Sequence, residues 1–343
     1  MIVSCAPFRV SFAGGGSDLA SFYSKRRGAV LSCAIAKYSF IIVHPFFNAS
    51  KYHLKYARTE LVDHIDQIQH PILREALRMQ AIDPGIEVTS VADIPGGTGL
   101  GSSSSFSVAL INALYAHRRI FAPKDKLASE ACTLEIERLG EPIGKQDQYA
   151  AAYGGVNLIE FERHGGVTVQ PLVLPTATLS ELEGNLMLFY TGMQRDARDV
   201  LSNQKVALEA DGVIVTRMQE MVELAYEMRD LLLSGNLDAF GCALHRGWGM
   251  KRSISTQIST SAIDDIYAQA RNARALGASS REPAGVGSCS STAPRPRNHG
   301  YARSLAHCNS ASTRLARVLR SRSDGLHQTE RPLLESRGTI KSW

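Results

Sequence analysis

The sequence predicts an α+β chain built in two halves. Strand-type and helix-type segments are interleaved over the first 180 or so residues without an internal repeat. A second unit opens near "NLMLFYTGMQRDARDVLSNQK" with a strand and continues into long helices. At 343 residues and 44% apolar, the chain is long enough and apolar enough for one large core or two ordinary ones.

Taken in order, "MIVSCAPFRVSFAGGGSDLASFY" reads as a strand, a glycine-rich turn and a short helix. "YSFIIVHPF" is the clearest strand of the next stretch, "HPILREALRMQAI" a helix and "GIEVTSVADIP" a strand again. Phe106 to His117 is helical, as is "PKDKLASEACTLEIERLG", and "YGGVNLIEFERHGGVTVQPLVL" forms a hairpin. The boundary between the halves falls near 180–185, around "TATLSELEGN". Beyond it, "GNLDAFGCALHRGWGMKRSIS" and "SAIDDIYAQARNARALGA" are helical.

The net charge of +5 hints at nucleic acid, but its distribution removes the hint. From residue 281 onward ten Arg and one Lys face one Asp and three Glu, a net +7, which leaves −2 on the first 280 residues. No nucleic-acid partner is expected. The six cysteines stand singly, without metal spacing, as reduced thiols would. No basic-then-apolar leader opens the chain and no run of about 18 apolar residues occurs, so a cytoplasmic protein with no membrane segment is expected.

"PGGTGLGSSSSFSVALINALYA" sets glycines and four serines against an apolar helix. Glycines let backbone approach a ligand, and the N–H groups and dipole of the following helix favour a phosphate. Serine hydroxyls there can also ligate Mg2+. The plainer alternative is a glycine-rich turn with serine caps. There is no GxxxxGK[ST], no GxGxxG after a first strand and no GxSxG. A second constellation, "EIERLGEPIGKQDQYAAAYGG", offers Glu135, Glu137, Glu141 and Asp147. Asp147, beside Lys145, is placed to take a proton from a substrate hydroxyl, or is a solvated acid at a helix start. In "APFRVSFAGGGSD", Arg9 is a candidate phosphate contact and Asp18 a candidate acceptor from sugar hydroxyls.

These three pieces, in this order, resemble the motifs of the GHMP kinases, the family of galactokinase, homoserine kinase, mevalonate kinase and phosphomevalonate kinase. "PGGTGLGSSSS" resembles its P-x-x-x-G-L-G-S-S motif, and "APFRVSFAGGGSD" the first motif of its sugar kinases. With "GEPIGKQDQYAAAYGG", "HPILREALR" and "LFYTGMQRDARDVLSNQ", residues 1–279 look most like the branch acting on D-glycero-D-manno-heptose 7-phosphate. The resemblance implies a two-domain GHMP kinase fold. Its N-terminal half, residues 1–183, would be of the ribosomal protein S5 domain 2 type, and its C-terminal half, residues 184–280, ferredoxin-like and incomplete.

The resemblance also implies roles. ATP and Mg2+ would be the cofactors, a sugar phosphate the substrate, and homodimerisation is left open. Pro95, Gly96, Gly97, Gly99, Leu100, Gly101, Ser102, Ser103 and Ser104 would wrap the ATP phosphates. Ser103 and Glu137 would hold the metal, although the Glu137-to-Asp147 interval is shorter than in some relatives. Asp147 would be the base, and Arg9 would support the transferred phosphoryl group. Gly15, Gly16, Asp18, Lys145 and Gln146 would hold the sugar. Its 7-phosphate would need cations, for which Lys251, Arg252, Arg195 and Arg198 are candidates or else solvated helix faces. The alternatives are a fucokinase- or galactokinase-like enzyme, or a sugar- or nucleotide-binding protein without activity.

The tail, residues 281–343, departs from the pattern. The family's third motif, G-x-G-G-G-G-F and a buried strand, should follow "ALGAS", where the chain reads "SREPAGVGSCSSTAPRPR". Joining the last base of each codon to the first two of the next permits "GAGGGGFLLFYC" across these residues, the missing motif and strand in order. The expectation is therefore a frameshift near residue 280, a second shift after about residue 325 that restores the frame for "ESRGTIKSW", and no paired strand between 281 and 325.

Overall fold

A computed structural model describes residues 1–190, 212–254, 261–281, 284–289 and 314–315. Strand β1 (Ile2–Ala13) leads through a glycine turn into the one-turn helix α1 (Ala20–Tyr23) and the long strand β2 (Gly28–Pro45). Then come β3 (Tyr52–Lys55), β4 (Thr59–Val62), α2 (Pro71–Met79) and β5 (Ile86–Ala92). Helices α3 (Ser102–His117) and α4 (Lys124–Cys132) follow, the latter running into a π-helical turn at Thr133–Arg138. Helix α5 (Gln146–Tyr153), the hairpin β6 (Val156–Phe161) and β7 (Val167–Pro171), and α6 (Thr176–Asn185) complete this half.

These strands form a seven-stranded sheet in the order β4-β3-β5-β2-β6-β7, with β1 also on β2. All pairings are antiparallel except β3 with β5. The length of β2 lets it pair with β6 through residues 28–33 and with β5 through 39–45, while β1 runs alongside.

The second half holds β8 (Leu186–Tyr190), α7 (Gly212–Leu233), α8 (Leu237–Ile254), α9 (Ser261–Asn272), β9 (Ala275–Arg281), β10 (Ala284–Cys289) and the short β11 (Arg314–Leu315). Its sheet runs β11-β8-β10-β9. The expected boundary at 180–185 falls within the last turns of α6. The expectation that no strand pairs beyond 281 is corrected. Residues 284–289 pair with β8 on one side and β9 on the other. "AGVGSC" carries no apolar alternation, and its pairing rests on backbone groups that both neighbours satisfy.

Two cores cover the large sheet. One packs Ile41, Val43 and Leu54 against α2, α3 and α4. The other packs Phe8, Val10, Phe12 and Leu31 against Met218, Met221 and Phe240 of α7 and α8, with the Phe12 and Phe240 rings edge to face at 5.0 Å. A register shift between Pro7 and Arg9 lets β1 serve both. Ser4 meets α3 through Asn112, and Ala6 joins the first core. Past the shift, Phe8, Val10 and Phe12 join the second, so Arg9 and Ser11 turn toward α5.

The glycine turn after β1 is as constrained. Gly14 has φ +84°, and a Cβ there would meet the Ala29 carbonyl oxygen at 1.9 Å. Left-handed backbone and contact with backbone both demand glycine. On the sheet face away from α3, register sets His44, Glu87 and His53 side by side. Lys55 and His53 donate to Glu87 at 2.7 and 2.8 Å, and with His44 they hold its carboxyl down to about 2.

Gly14→Ala should lower the thermal midpoint by several degrees, since left-handed strain of about 1–3 kcal/mol adds to the clash; a scan at wild-type level would show that the turn relaxes freely. A carboxyl depressed in the folded state stabilises above its unfolded value and loses that contribution as pH falls to the folded value. Glu87 therefore places part of the acid-side loss of stability between about pH 4.5 and 2. Denaturant melts over that range should show a flatter slope for Glu87→Gln.

Candidate active site

The loop Pro95–Gly101 ends at Gly101, whose φ of +77° turns the chain into α3. Gly97 and Gly99 are left-handed too, and a Cβ on Gly96 or Gly97 would meet nothing within 4 Å. The loop is thus an open, backbone-walled cradle at a helix N-terminus. The helix starts at Ser102, earlier than the expected Phe106, so the serines form its first turn. Ser102 and Ser103 remain accessible, and Ser104 is buried. Leu100 serves the loop through its backbone. Its side chain is in the core, and its carbonyl accepts from Arg9 N at 3.0 Å. Thr98 Oγ1 is buried with no hydrogen-bond partner.

Arg9 is 3% exposed and Asp147 23%. Arg9 Nε donates to Asp147 Oδ1 at 2.7 Å, Nη2 donates to Oδ2, and Nη1 donates to the Gly99 carbonyl at 2.7 Å. One guanidinium thus ties β1, the glycine loop and α5 together, with the fork geometry arginine is suited to. The structure brings Arg9 and Asp147 together as a pair. A free phosphate contact, as expected for Arg9, would require part of this pairing to open.

The acid that faces Ser103 is Glu135, not Glu137. Ser103 Oγ donates to Glu135 Oε1 at 2.5 Å and Gln148 Nε2 donates to Oε2 at 2.7 Å. Glu135 is 0% exposed, and burial pushes its carboxyl above the ordinary carboxylate range against the pull of Ser103, Gln148 and Ser104. Glu137 is exposed on the far side of the π-helical turn. The signal was present in the sequence. Leu127, Ala128, Ala131 and Cys132 form the buried stripe of α4, and Glu135 continues it at helical spacing.

Asp18 and Gln146, expected to hold the sugar, are turned inward. Asp18 is 2% exposed. Its Oδ1 accepts from Gly16 N and Gln146 Nε2, and its Oδ2 from Gln146 N, at 2.9, 3.1 and 3.2 Å. Ser11 Oγ donates to Gln146 Oε1 at 2.8 Å. Gly144 lies so close that a Cβ would fall 1.9 Å from Asp18 Oδ2. These groups brace the glycine turn, with Gly15 and Gly16 buried in it, against the start of α5. Lys145 Nζ donates to the Gly165 carbonyl at 2.7 Å and lies 5.1 Å from the Tyr23 ring centroid. Sequence reasoning missed Ser11 and Gln148, neutral residues whose use depends on which acid they meet. Of the cations expected for a phosphate, Arg252 pairs with Asp264 at 3.2 Å, Lys251 lies beside it on α8, and Arg195 and Arg198 lie outside the described residues.

Among the described residues no group of three or more His, Cys, Asp or Glu could hold a metal by itself, and no helix is long and apolar enough to cross a membrane. The site instead joins an open glycine loop at a helix N-terminus, a hydroxyl–carboxylate pair and a partly open carboxylate on a guanidinium.

Residues 67–155 match the model of the GHMP kinases N terminal domain. A D-glycero-alpha-D-manno-heptose 7-phosphate kinase of Campylobacter jejuni is 28% identical over 278 residues, 76% of this chain and 80% of that one. The bifunctional fucokinase/GDP-fucose pyrophosphorylase of Arabidopsis thaliana is 24% identical over 76% of this chain and 27% of its own length. Among solved structures, a D-glycero-D-manno-heptose 1-phosphate kinase from Bacteroides thetaiotaomicron superposes with a TM-score of 0.77 at 22% identity, over 93% of this chain and 96% of that one. A mevalonate kinase superposes at 0.69 with 15% identity, over 90% and 96%. These two share the fold. With the matched N-terminal domain, the heptose kinase relative and the fold shared with solved kinases, the chain belongs to the GHMP kinase superfamily, phosphotransferases with an alcohol group as acceptor.

Proposed function

We propose that the protein phosphorylates a sugar phosphate with ATP, the acceptor being D-glycero-D-manno-heptose 7-phosphate and the product its 1,7-bisphosphate, formed at the anomeric hydroxyl. The observation that carries the phosphotransfer reading is the Arg9–Asp147 pair at the mouth of the glycine loop. The heptose reading is supported by the Campylobacter relative. The expected site in the cell is the cytoplasm.

The residues fit ATP and Mg2+, which GHMP kinases use. Three left-handed glycines and the first turn of α3 offer N–H groups to an anion. Glu135 is buried with neutral partners only, Ser103 and Gln148, and Gln148 Oε1 beside it has no partner. A carboxylate so placed favours a divalent cation, and Ser103 Oγ with Glu135 supplies the oxygen donors one needs alongside phosphate oxygens. When bound, the metal would neutralise charge on the phosphates. The chain's own part is positional. Gly97, Gly99 and Gly101 would hold the phosphates, and Ser103 and Glu135 would hold the metal. Asp147 Oδ accepts the proton of the sugar hydroxyl, for which its open quarter gives access. Arg9 orients that carboxylate, and because it also grips Gly99 it keeps the base in register with the phosphate loop.

Asp147→Asn should lower kcat by about a hundredfold or more while nucleotide affinity stays close to wild type, measured by coupled ADP release and by nucleotide titration. Undiminished turnover would remove Asp147 as the base. A panel of heptose 7-phosphate, fucose and galactose in the same assay tests the acceptor, and preference for a neutral sugar would overturn the heptose reading. Glu135→Gln should weaken Mn2+ binding in the presence of ADP, read by electron paramagnetic resonance, and Glu137→Gln should not. The reverse pattern would restore Glu137 as the metal residue.

A further inference from the structure

Lys145 stands two residues before Asp147 and joins three segments. Its backbone N donates to the Asp18 carbonyl, its Nζ to Gly165 in the β6–β7 turn, and its ammonium sits over Tyr23 of α1. The α1–β2 connection carries Lys25, Arg26 and Arg27, and the β6–β7 turn carries Arg163. The pairing of Gly28 with Phe161 sets these two loops side by side. A Cβ on Gly28 would lie 2.2 Å from the Ser17 carbonyl, so the basic connection is pressed onto the glycine turn of the site.

The rim therefore gathers five cationic side chains against two carboxylates, Glu160 and Glu162, on a body of residues 1–280 that is net negative by two. Both carboxylates are engaged by Arg27, at 3.3 and 2.7 Å. Arg26 and Arg163 are exposed, and their guanidinium groups make no hydrogen bond or ion pair among the described residues. Two unspent guanidinium groups flanking an anchored ammonium suit a phosphate ester, which takes bidentate arginine and a point charge alike.

We propose that this rim, with Arg26 and Arg163 as its contacts and Lys145 as its anchored centre, binds the phosphate that the acceptor already carries before the reaction. The inference rests on the sugar-phosphate reading above and extends it. The acceptor hydroxyl lies at Asp147, and its far end crosses Lys145 toward the two loops. Selection of a phosphorylated over a neutral sugar then resides in loops outside the kinase motifs.

The test uses the full chain with Arg26→Ala, Arg163→Ala, the double variant, and Arg58→Ala on the distant β3–β4 turn as a control. Steady-state rates are taken with heptose 7-phosphate and with unphosphorylated heptose at saturating ATP. Each single variant should lower the kcat/KM ratio of the phosphorylated over the neutral sugar by about tenfold, mostly through KM. The double variant should lower it further, Arg26→Lys should recover part, and Arg58→Ala should keep the wild-type ratio. An unchanged ratio in the double variant overturns the rim. If the wild type accepts no phosphorylated sugar, the substrate reading falls, and inorganic phosphate titrated calorimetrically decides the rim alone. Binding lost in the double variant supports it. Equal binding in both proteins, or none to the wild type, ends it.

Discussion

The site depends on one guanidinium. Arg9 sits almost wholly inside the protein and spends its donors on the carboxylate of Asp147 and the carbonyl of Gly99. A charge at that depth survives only if it is paired, and stripping one partner from a buried pair costs about 3–5 kcal/mol. The demand runs both ways. The fold has to bring β1, the glycine loop and α5 to one point to satisfy Arg9, and having done so it has placed a carboxylate beside an open glycine loop. The register shift after Pro7 is what turns Arg9 to that point while leaving Phe8 and Phe12 for the core shared with α7 and α8.

The first turn of α5 carries the consequence further. In "QDQ" three successive side chains fan out to three acids or bases. Gln146 goes to Asp18, Asp147 to Arg9 and Gln148 to Glu135. The central residue meets a cation and its neighbours meet carboxylates, so each glutamine does for a buried acid what an arginine would do at the cost of an added positive charge. Neutral donors leave Asp18 and Glu135 hydrogen-bonded without cancelling their charge. For Asp18 the result is a brace. For Glu135 it is a buried oxygen donor beside Ser103 with charge to offer.

That division explains what the sequence revealed and what it hid. The glycine loop, the serine turn and Asp147 were legible because backbone conformation and chemistry coincide there: glycine at left-handed φ and a carboxylate after a glycine turn can be read locally. Arg9 was legible as a residue of interest, but its partner was not, since the pair is separated by 138 positions. Glu137 was preferred to Glu135 on motif spacing, whereas the buried stripe of α4 already pointed to Glu135. Asp18 failed for the opposite reason. A polar residue after glycines suggests a ligand, yet Gly16 and Gln146 consume its oxygens. Strand β10 was invisible because "AGVGSC" has no period, and its place is set by the edges of β8 and β9.

The same contrast separates catalysis from selection in this fold. The residues proposed to handle phosphoryl transfer are locked by long-range partners, so their positions leave little freedom for a new substrate. The loops at 24–27 and 162–166 are held instead by a strand register, Gly28 with Phe161, by a glycine contact beneath them, and by the Lys145–Gly165 hydrogen bond and the Arg27–Glu162 ion pair. Side chains there project to solvent and can change without disturbing the Arg9–Asp147 pair, because loops bear variation that buried pairs do not. On the proposed reading, an acceptor distinguished by a charged group at its far end would be read where the structure tolerates change. The hydroxyl that reacts would be read where it does not.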